Sequence, residues 1–326
     1  MDDIVANGKR LSFVIPCYRS EDTITAVVDE IGETVQTREG YDYEIILVND
    51  GSPDGVWNVI EKMAENDYHI VGINLSKNFG QQCALMAGYH HCSGDYIISL
   101  DDDGQAPASG LYALLDKLEE GYDVVYASYE THRKHWFRKL GAEFASRTSD
   151  YIFEQKLPRG STFYVMRKFI AQEMLHYRNP YPYPFGLVLR ITRKIGLVPL
   201  EHRNRISGSS GYTLKALIFL WVNSFTAFSI KPLRMGSYCG FFLSCIGFLF
   251  AVVTILRKLF FEPNMVAGWS SIISILLIVG GMILLMLGLI GEYIGRIYIC
   301  LNDSPQFVVR DICAQGRKET KQGAAP

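Results

Sequence analysis

The chain has 326 residues, of which 48% are hydrophobic and 20% are charged, and its formal net charge at pH 7 is −2. This length is enough for one α/β domain with an appended segment, and the near-neutral charge argues against nucleic acid as a partner. The seven cysteines include no Cys-x-x-Cys pair, which disfavours a zinc site. We therefore interpret them as free thiols in a reducing compartment.

The first part of the chain alternates between predicted strands and predicted helices. The strands are predicted at Leu11–Ile15, Glu44–Val48, Ile70–Leu75, Tyr96–Leu100 and Val124–Ala127. The helices between them are predicted at Asp22–Gln36, Pro53–Glu65 and Gly80–His91. This alternation predicts an α/β fold with a mostly parallel sheet and helices on both faces. Ligands of such folds bind beyond the carboxyl ends of the strands.

Polar clusters follow the first two strands at Pro16 to Tyr18 and at Asp50 to Ser52. A carboxylate at Asp50 is suited to accept a hydrogen bond from a nucleobase, and Gly51 allows a ligand to approach the backbone closely. Tyr18 is suited to stack on the base. The alternatives are a turn with a helix cap at Ser52 or Asp54, and an ordinary loop aromatic.

Three adjacent carboxylates, Asp101 to Asp103, follow the fourth predicted strand. They repel one another, and a bound cation would offset that repulsion. Alternate residues of an extended chain point the same way, so Asp101, Asp103 and Gln105 are expected to converge. Oxygen ligands of this kind suit Mg²⁺ or Mn²⁺, which would also hold a diphosphate. The alternative is an acidic, solvated turn.

Three segments of special composition follow the fifth strand. Residues 132–156 are basic and aromatic, which predicts either a solvated helix face or an amphipathic helix at a membrane surface. Residues 179–185 contain three prolines and predict a stiff, non-helical connection. Arg203–Tyr212 combines arginines, hydroxyls and glycines, which predicts a phosphate-binding loop or a flexible linker beside a membrane.

Two uncharged runs, Tyr238–Leu256 and Ser271–Ile290, are long enough to cross a bilayer. Neither run has a polar face, which disfavours two buried core helices. They are close in sequence and predict a helical hairpin, and the basic residues outside it place both chain ends in the cytoplasm. Ala216–Ile230 is shorter and predicts a helix in the membrane interface, with a third crossing as the alternative. The polar chain after Arg310 is expected to be disordered.

Seven short motifs stand in order along nearly the whole chain. They are Val14–Tyr18, Val48–Ser52, Asn78–Gln81, Gly94–Tyr96, Asp101-x-Asp103-x-Gln105-x-Pro107, Arg205-x-x-Gly208-x-Ser210-x-Tyr212 and Gly291–Tyr298. Together they resemble family 2 glycosyltransferases with the GT-A (Rossmann-like) fold. The closest resemblance is to the polyisoprenyl-phosphate glycosyltransferases, which include bactoprenol glucosyltransferases and dolichol-phosphate mannose synthases.

The resemblance implies a set of site residues. Binding of the nucleotide-sugar is implied for Pro16, Tyr18, Asp50 and Asp102. Binding of the divalent cation and the donor diphosphate is implied for Asp101, Asp103 and Gln105. Binding of the lipid phosphate is implied for Arg205 and Ser210, and for Arg133 as a replacement for an arginine that many members carry where this chain has Tyr129.

Two further departures from the family pattern concern Arg19-Ser20-Glu21, where members often have Asn-Glu, and Pro158–Phe163, which lacks an aspartate proposed to be catalytic in many members. A phosphate monoester has a second pKa of about 6 and is mostly dianionic at neutral pH, so it needs no general base. We expect catalysis by positioning and electrostatics, with Asp101, Asp103 and Arg205 as the catalytic residues.

These observations predict a GT-A domain over residues 1–212, an interfacial amphipathic helix over 213–231, two transmembrane helices within 236–296 and a cytoplasmic tail over 297–326. The predicted reaction is an inverting transfer of a sugar from UDP-hexose to undecaprenyl phosphate at the cytoplasmic face of the inner membrane. The enzymatic alternative uses GDP-mannose and dolichyl phosphate. Two further alternatives are a processive polysaccharide synthase and a non-enzymatic membrane scaffold that senses nucleotide-sugar. The identity of the sugar and the formation of a homo-oligomer are left open.

Overall fold

The computed structural model describes residues 8–129, 161–201, 203, 231–260, 268–302 and 304–320. These residues belong to two compact units, and the second, within Leu214–Asn302, is inserted in the sequence between two parts of the first. Several predictions fall outside the described residues, namely those for Arg133, Arg205, Ser210, residues 132–156 and all but the last residue of the interfacial helix at 213–231.

The first unit is built on nine described strands. They are β1 (Lys9–Cys17), β2 (Tyr41–Asn49), β3 (Ile70–Leu75), β4 (Tyr96–Ser99), β5 (Val124–Tyr129), β6 (Tyr164–Arg167), β7 (Ile195–Leu200), β8 (Val309–Ala314) and β9 (Arg317–Thr320). They form one sheet in the order β7-β5-β6-β4-β1-β2-β3-β8-β9. The central strands β3, β2, β1 and β4 are all parallel, whereas β6, β8 and β9 pair antiparallel with their neighbours. The predicted α/β fold with a mostly parallel sheet is confirmed.

Helices cover both faces of this sheet. They are α1 (Ile24–Gln36), α2 (Val56–Asn66), α3 (Gln81–Tyr89), α4 (Leu111–Glu119), α5 (Lys168–Leu175) and α6 (Pro184–Ile191). In α1 the buried residues Ile24, Val28, Ile31 and Val35 recur at helical spacing and pack against the β1 face that carries Phe13. The helix α3 packs on the opposite face of β1 and β2.

Two expectations about irregular segments are wrong. Helix α6 begins at Pro184, so the end of the predicted non-helical connection at 179–185 is helical, because proline fits the first turn of a helix. The chain after Arg310 is not a disordered tail over its described part, since β8 pairs with β3 and β9 pairs with β8. Cys313 of β8 lies opposite Gly72 and is buried, so this segment completes the sheet.

The second unit contains two long described helices, α7 (Lys231–Phe260) and α8 (Trp269–Leu301), which include the two predicted membrane segments. Within the described residues, one stretch, Ile278–Leu301, is long and apolar enough to cross a membrane by length and composition, and none of its apolar window is buried. Gly236–Phe250 is a shorter apolar stretch. The second crossing therefore stays a prediction.

Candidate active site

The candidate site lies where β1, β2 and β4 end. These strands are parallel and in register, with Cys17 beside Asn49 and Val14 beside Ser99. Their carboxyl ends therefore meet at one edge of the sheet. The loops that leave this edge carry the predicted residues from Tyr18, from Asp50 and from Asp101 onward.

The first two loops are joined by hydrogen bonds between backbone and side chains. The Arg19 N–H donates to Ser52 Oγ at 2.8 Å, and the Glu21 N–H donates to Asp54 Oδ2 at 3.1 Å. In return, Glu21 Oε2 accepts the Gly55 N–H at 2.8 Å. Glu21 thus has a local role, although it stands in a segment that departs from the family pattern. Arg19 has a positive φ of 57°, a conformation that non-glycine residues adopt mainly where the surroundings impose it.

Asp50 is buried, and both of its carboxylate oxygens accept backbone donors. Phe79 N–H lies 2.7 Å from Oδ1 and Gly80 N–H lies 2.9 Å from Oδ2. Burial raises the pKa of Asp50, and these two donors oppose that shift. Asp50 therefore holds the loop that precedes α3. Each oxygen keeps a second lone pair, so a nucleobase contact stays a prediction.

Gly51 is required for this arrangement. Its φ is +57°, and a Cβ on Gly51 would lie 2.4 Å from the carbonyl carbon of Lys77. Only glycine allows the loop after β2 to approach the backbone at Lys77 so closely in that backbone conformation.

The three carboxylates of Asp101 to Asp103 make different hydrogen bonds. Asp101 accepts Gln81 Nε2 at 2.7 Å and also accepts the Thr162 hydroxyl. Asp102 Oδ2 accepts the Tyr18 N–H at 2.9 Å, and Asp103 Oδ1 accepts the Gln105 N–H at 3.1 Å. Asp102 thus fixes the end of β1.

The electrostatics of this cluster favour a cation. Burial raises the pKa of Asp101 to about 6, the charges of Asp103 and Asp102 add to that shift, and the hydrogen bonds from Thr162 and Gln81 oppose it. The two side chains that bond Asp101 are neutral, so neither of them offsets the negative charge of Asp101. The donor set therefore fits a divalent metal ion, which would compensate it. Among the described residues, no group of three His, Cys, Asp or Glu side chains forms a metal cluster, so the set Asp101, Asp103 and Gln105 stays a prediction.

Comparisons with known proteins identify the family of the chain. Residues 12–178 match the model of glycosyl transferase family 2, and a protein of Bacillus subtilis (strain 168), the uncharacterized glycosyltransferase YkcC, is 35% identical over 303 residues, 92% of this chain and 93% of that protein. The chain belongs to glycosyl transferase family 2. Residues 231–297 of this family 2 glycosyltransferase match the GtrB C-terminal hairpin, a domain found in polyprenyl-phosphate glycosyltransferases, so both parts of the resemblance are confirmed.

Two solved structures are similar over part of the chain. Glucosyl-3-phosphoglycerate synthase from Mycobacterium tuberculosis, in complex with Mn²⁺ and uridine-diphosphate-glucose, has a TM-score of 0.45 and 21% identity, covering 67% of this chain and 77% of its own. Mannosyl-3-phosphoglycerate synthase from Rubrobacter xylanophilus has a TM-score of 0.49 and 18% identity, covering 70% of this chain and 75% of its own.

The remaining predicted residues of this family 2 glycosyltransferase differ in accessibility. Tyr18 is 43% exposed, and the Arg19 guanidinium carbon lies 5.6 Å from the centroid of its ring. Pro16 is buried inside β1 beside Val48, so its nucleotide contact stays a prediction. The proposed phosphate-binding residues Arg133, Arg205 and Ser210 lie outside the described residues.

Two residues near the acidic cluster, Gln81 and Thr162, were missed as site residues by sequence reasoning, and Arg203 was predicted only as part of the phosphate-binding loop. Gln81 and Thr162 bond Asp101, and Arg203 donates its N–H to the Gln105 carbonyl at 3.2 Å and its guanidinium to Glu30 at 2.9 Å. Two features of the sequence could have pointed to these residues. Gln81 stands in a family motif, and Thr162 stands in the segment that lacks the family aspartate. Arg203 is the first residue of the predicted phosphate-binding loop, and its hydrogen bond places that residue beside Gln105.

Proposed function

We propose that this family 2 glycosyltransferase transfers a sugar, with inversion, from a UDP-hexose to undecaprenyl phosphate at the cytoplasmic face of the inner membrane. The observation that carries the proposal is the acidic cluster around Asp101. It lies at the carboxyl ends of parallel strands, its carboxylates repel one another and raise the pKa of Asp101, and the chain also matches the GtrB hairpin.

On the donor side, the loops after β1 and β2 would receive the nucleoside. The exposed Tyr18 ring offers a stacking surface, and its backbone is held in place by Asp102. Asp101, Asp103 and Gln105 would hold Mg²⁺ or Mn²⁺. When bound, the cation supplies neutralising charge to the diphosphate of the leaving nucleotide. Gln81 and Thr162 orient the Asp101 carboxylate for that task.

On the acceptor side, the nucleophile is a phosphate monoester. Because it is mostly dianionic at neutral pH, the enzyme has to bring together two anions rather than remove a proton. Arg205, Ser210 and Arg133 are proposed to hold the lipid phosphate. Two observations support this assignment: Arg203, two residues before Arg205 in the sequence, lies beside Gln105, and the exposed apolar helix α8 suits a lipid substrate.

Transfer assays with the purified protein test the proposal. The full-length protein in detergent is supplied with Mn²⁺, labelled UDP-hexoses or GDP-mannose, and undecaprenyl or dolichyl phosphate. The label is expected to enter the organic phase with a UDP-hexose and undecaprenyl phosphate. Product with GDP-mannose and dolichyl phosphate alone would favour the alternative donor and acceptor, and no product with any pair would contradict transfer to a lipid phosphate.

A carboxylate variant tests the role of the metal site. Asp103→Ala should lower kcat by at least about a hundredfold, as expected when a group that stabilises charge in the transition state is lost. Asp116→Ala is the matched control, because Asp116 is an exposed carboxylate of the same unit that pairs with Arg38. Wild-type activity in Asp103→Ala would show that the metal site is wrongly placed.

A further inference from the structure

A row of three polar side chains crosses the sheet beside the candidate donor site. Asn49 of β2 pairs with Asn74 of β3, and Asn74 pairs with Asp311 of β8, so the three residues are neighbours on adjacent strands. Asn49 and Asn74 are buried, and Asp311 is partly buried. Such buried amides need complete hydrogen bonding, since an unsatisfied one is costly.

The hydrogen bonds of this row form a relay with one direction. Asn49 Oδ1 accepts the Ser52 N–H at 3.1 Å, Asn49 Nδ2 donates to Asn74 Oδ1 at 2.8 Å, and Asn74 Nδ2 donates to an Asp311 carboxylate oxygen at 3.0 Å. A backbone N–H can only donate, and a carboxylate can only accept. Both ends of the relay therefore dictate how the two amides are oriented.

The relay ends at the turn that carries Asp50. Ser52 not only donates its N–H to Asn49 but also accepts the Arg19 N–H on its hydroxyl. The relay thus connects Asp311 to both loops that are proposed to receive the nucleoside. Local sequence patterns do not indicate this connection, because the inserted helical unit separates Asp311 from Asn74 in the sequence.

We propose that Asp311 is a positioning residue for the donor: its carboxylate orients Asn74 and Asn49 and so holds the turn from Asn49 to Ser52 in the shape that binds a nucleoside diphosphate. The inference rests on the proposed function. It assigns β8, which follows the two long helices in sequence, to the donor site.

The strand itself has other attachments, which allow the relay to be tested separately from folding. Ser76 N–H donates to the Val308 carbonyl at 2.8 Å, and Gln306 Nε2 donates to the Asn179 carbonyl at 2.9 Å. Cys313 is buried against Gly72. Loss of the Asp311 carboxylate alone should therefore leave β8 paired with β3.

A polarity exchange between Asn74 and Asp311 tests the relay. Asp311→Ala should weaken UDP binding about tenfold, since a buried amide loses its acceptor. Asp311→Asn should bind nearly as wild type, because an amide oxygen also accepts. Asn74→Asp should weaken binding because it places two carboxylates side by side. Combining Asn74→Asp with Asp311→Asn should restore binding, because the amide introduced at position 311 can donate to the carboxylate introduced at position 74.

The measurements are the Kd of UDP and of GDP by calorimetry, the KM and kcat of transfer, and the melting temperature, all on full-length protein. Arg310→Ala, an exposed neighbour in β8, is the control. In Asp311→Ala we expect the Kd of UDP and the KM for the donor to rise, while kcat at saturating donor changes little. If the wild type binds neither nucleotide, the proposed function fails and the inference fails with it. If the wild type binds but Asp311→Ala binds equally well, or the exchange gives no rescue, only the relay is wrong.

Discussion

At the scale of single residues, Asp101 shows how the fold prepares a carboxylate for a cation. Its pKa is raised to about 6 by burial, against an ordinary value of 3.8. Between these two pH values the folded chain binds a proton that the unfolded chain does not, so this group's contribution to stability decreases as the pH rises through that window. The fold therefore holds a carboxylate whose charge it disfavours, which is typical of functional sites.

Thr162 allows this electrostatic role to be tested through pH. Its hydroxyl donates to Asp101 and lowers the pKa of that carboxyl, so Thr162→Val should raise the pKa further. The acidic limb of the kcat/KM profile should then move to higher pH, because metal binding needs the deprotonated carboxylate. Thr37→Val is the control, since the Thr37 hydroxyl donates to the Thr34 carbonyl at the end of α1 and does not contribute to the pKa shift of Asp101. An unchanged profile would show that protonation of Asp101 does not limit the reaction.

Several site residues could be predicted from the sequence, and others could not. Tyr18, Asp50 and Asp101 each follow a strongly apolar strand, so their place at the edge of the sheet follows from the local pattern. Gln81 and Thr162 reach Asp101 only through tertiary packing, so the motif that contains Gln81 and the segment that contains Thr162 did not by themselves indicate a contact with Asp101. The expected convergence of Asp101, Asp103 and Gln105 rested on an extended chain, but the structure has a turn at Asp102 and Asp103.

At the scale of elements, periodicity predicted the N-terminal strands and helices well, because β1 to β4 are buried on both faces and α1 has a clear apolar stripe. The strands β6 to β9 were missed. They contain four to six residues each, and the pairings of β6, β7 and β8 join distant parts of the chain. The pairing of β8 with β3 cannot be seen in local patterning, since β8 follows the inserted unit.

The contact between α3 and β1 gives a test of packing at this scale. A Cβ on Gly88 would lie 2.3 Å from Val14 Cγ1, so Gly88→Ala should destabilise the domain by about 1–3 kcal/mol through overpacking. Adding Val14→Ala should recover part of that loss, because it removes the atom that clashes. Thermal melting in detergent measures both effects.

The control for this pair is Gly32→Ala in α1. A Cβ on Gly32 would meet only the Tyr43 hydroxyl at 3.4 Å, so this variant should be neutral or stabilising by up to about 1 kcal/mol. If Val14→Ala makes Gly88→Ala worse rather than better, α3 does not approach β1 through this glycine.

At the scale of the whole molecule, the chain combines a sheet domain that is completed from both ends of the sequence with a helical unit inserted between them. The exposed apolar side chains of the helical unit include Phe248 and Leu284. Side chains of this kind cost free energy in water and are stabilised in lipid. The GtrB hairpin match covers the same residues and supports membrane association.

Paired arginine substitutions in α8 test whether this helix crosses the bilayer. Leu284 is 71% exposed in the body of the helix, and Leu301 is 76% exposed at its end. An arginine near the centre of a spanning helix costs about 2.5–3.5 kcal/mol on insertion, whereas one near its end reaches the interface. Leu284→Arg should therefore reduce the fraction of protein that stays in membranes after alkaline extraction, and Leu301→Arg should not. Equal retention of both variants would indicate that α8 lies along the surface, and the membrane part of the proposed reaction would then need a different anchor.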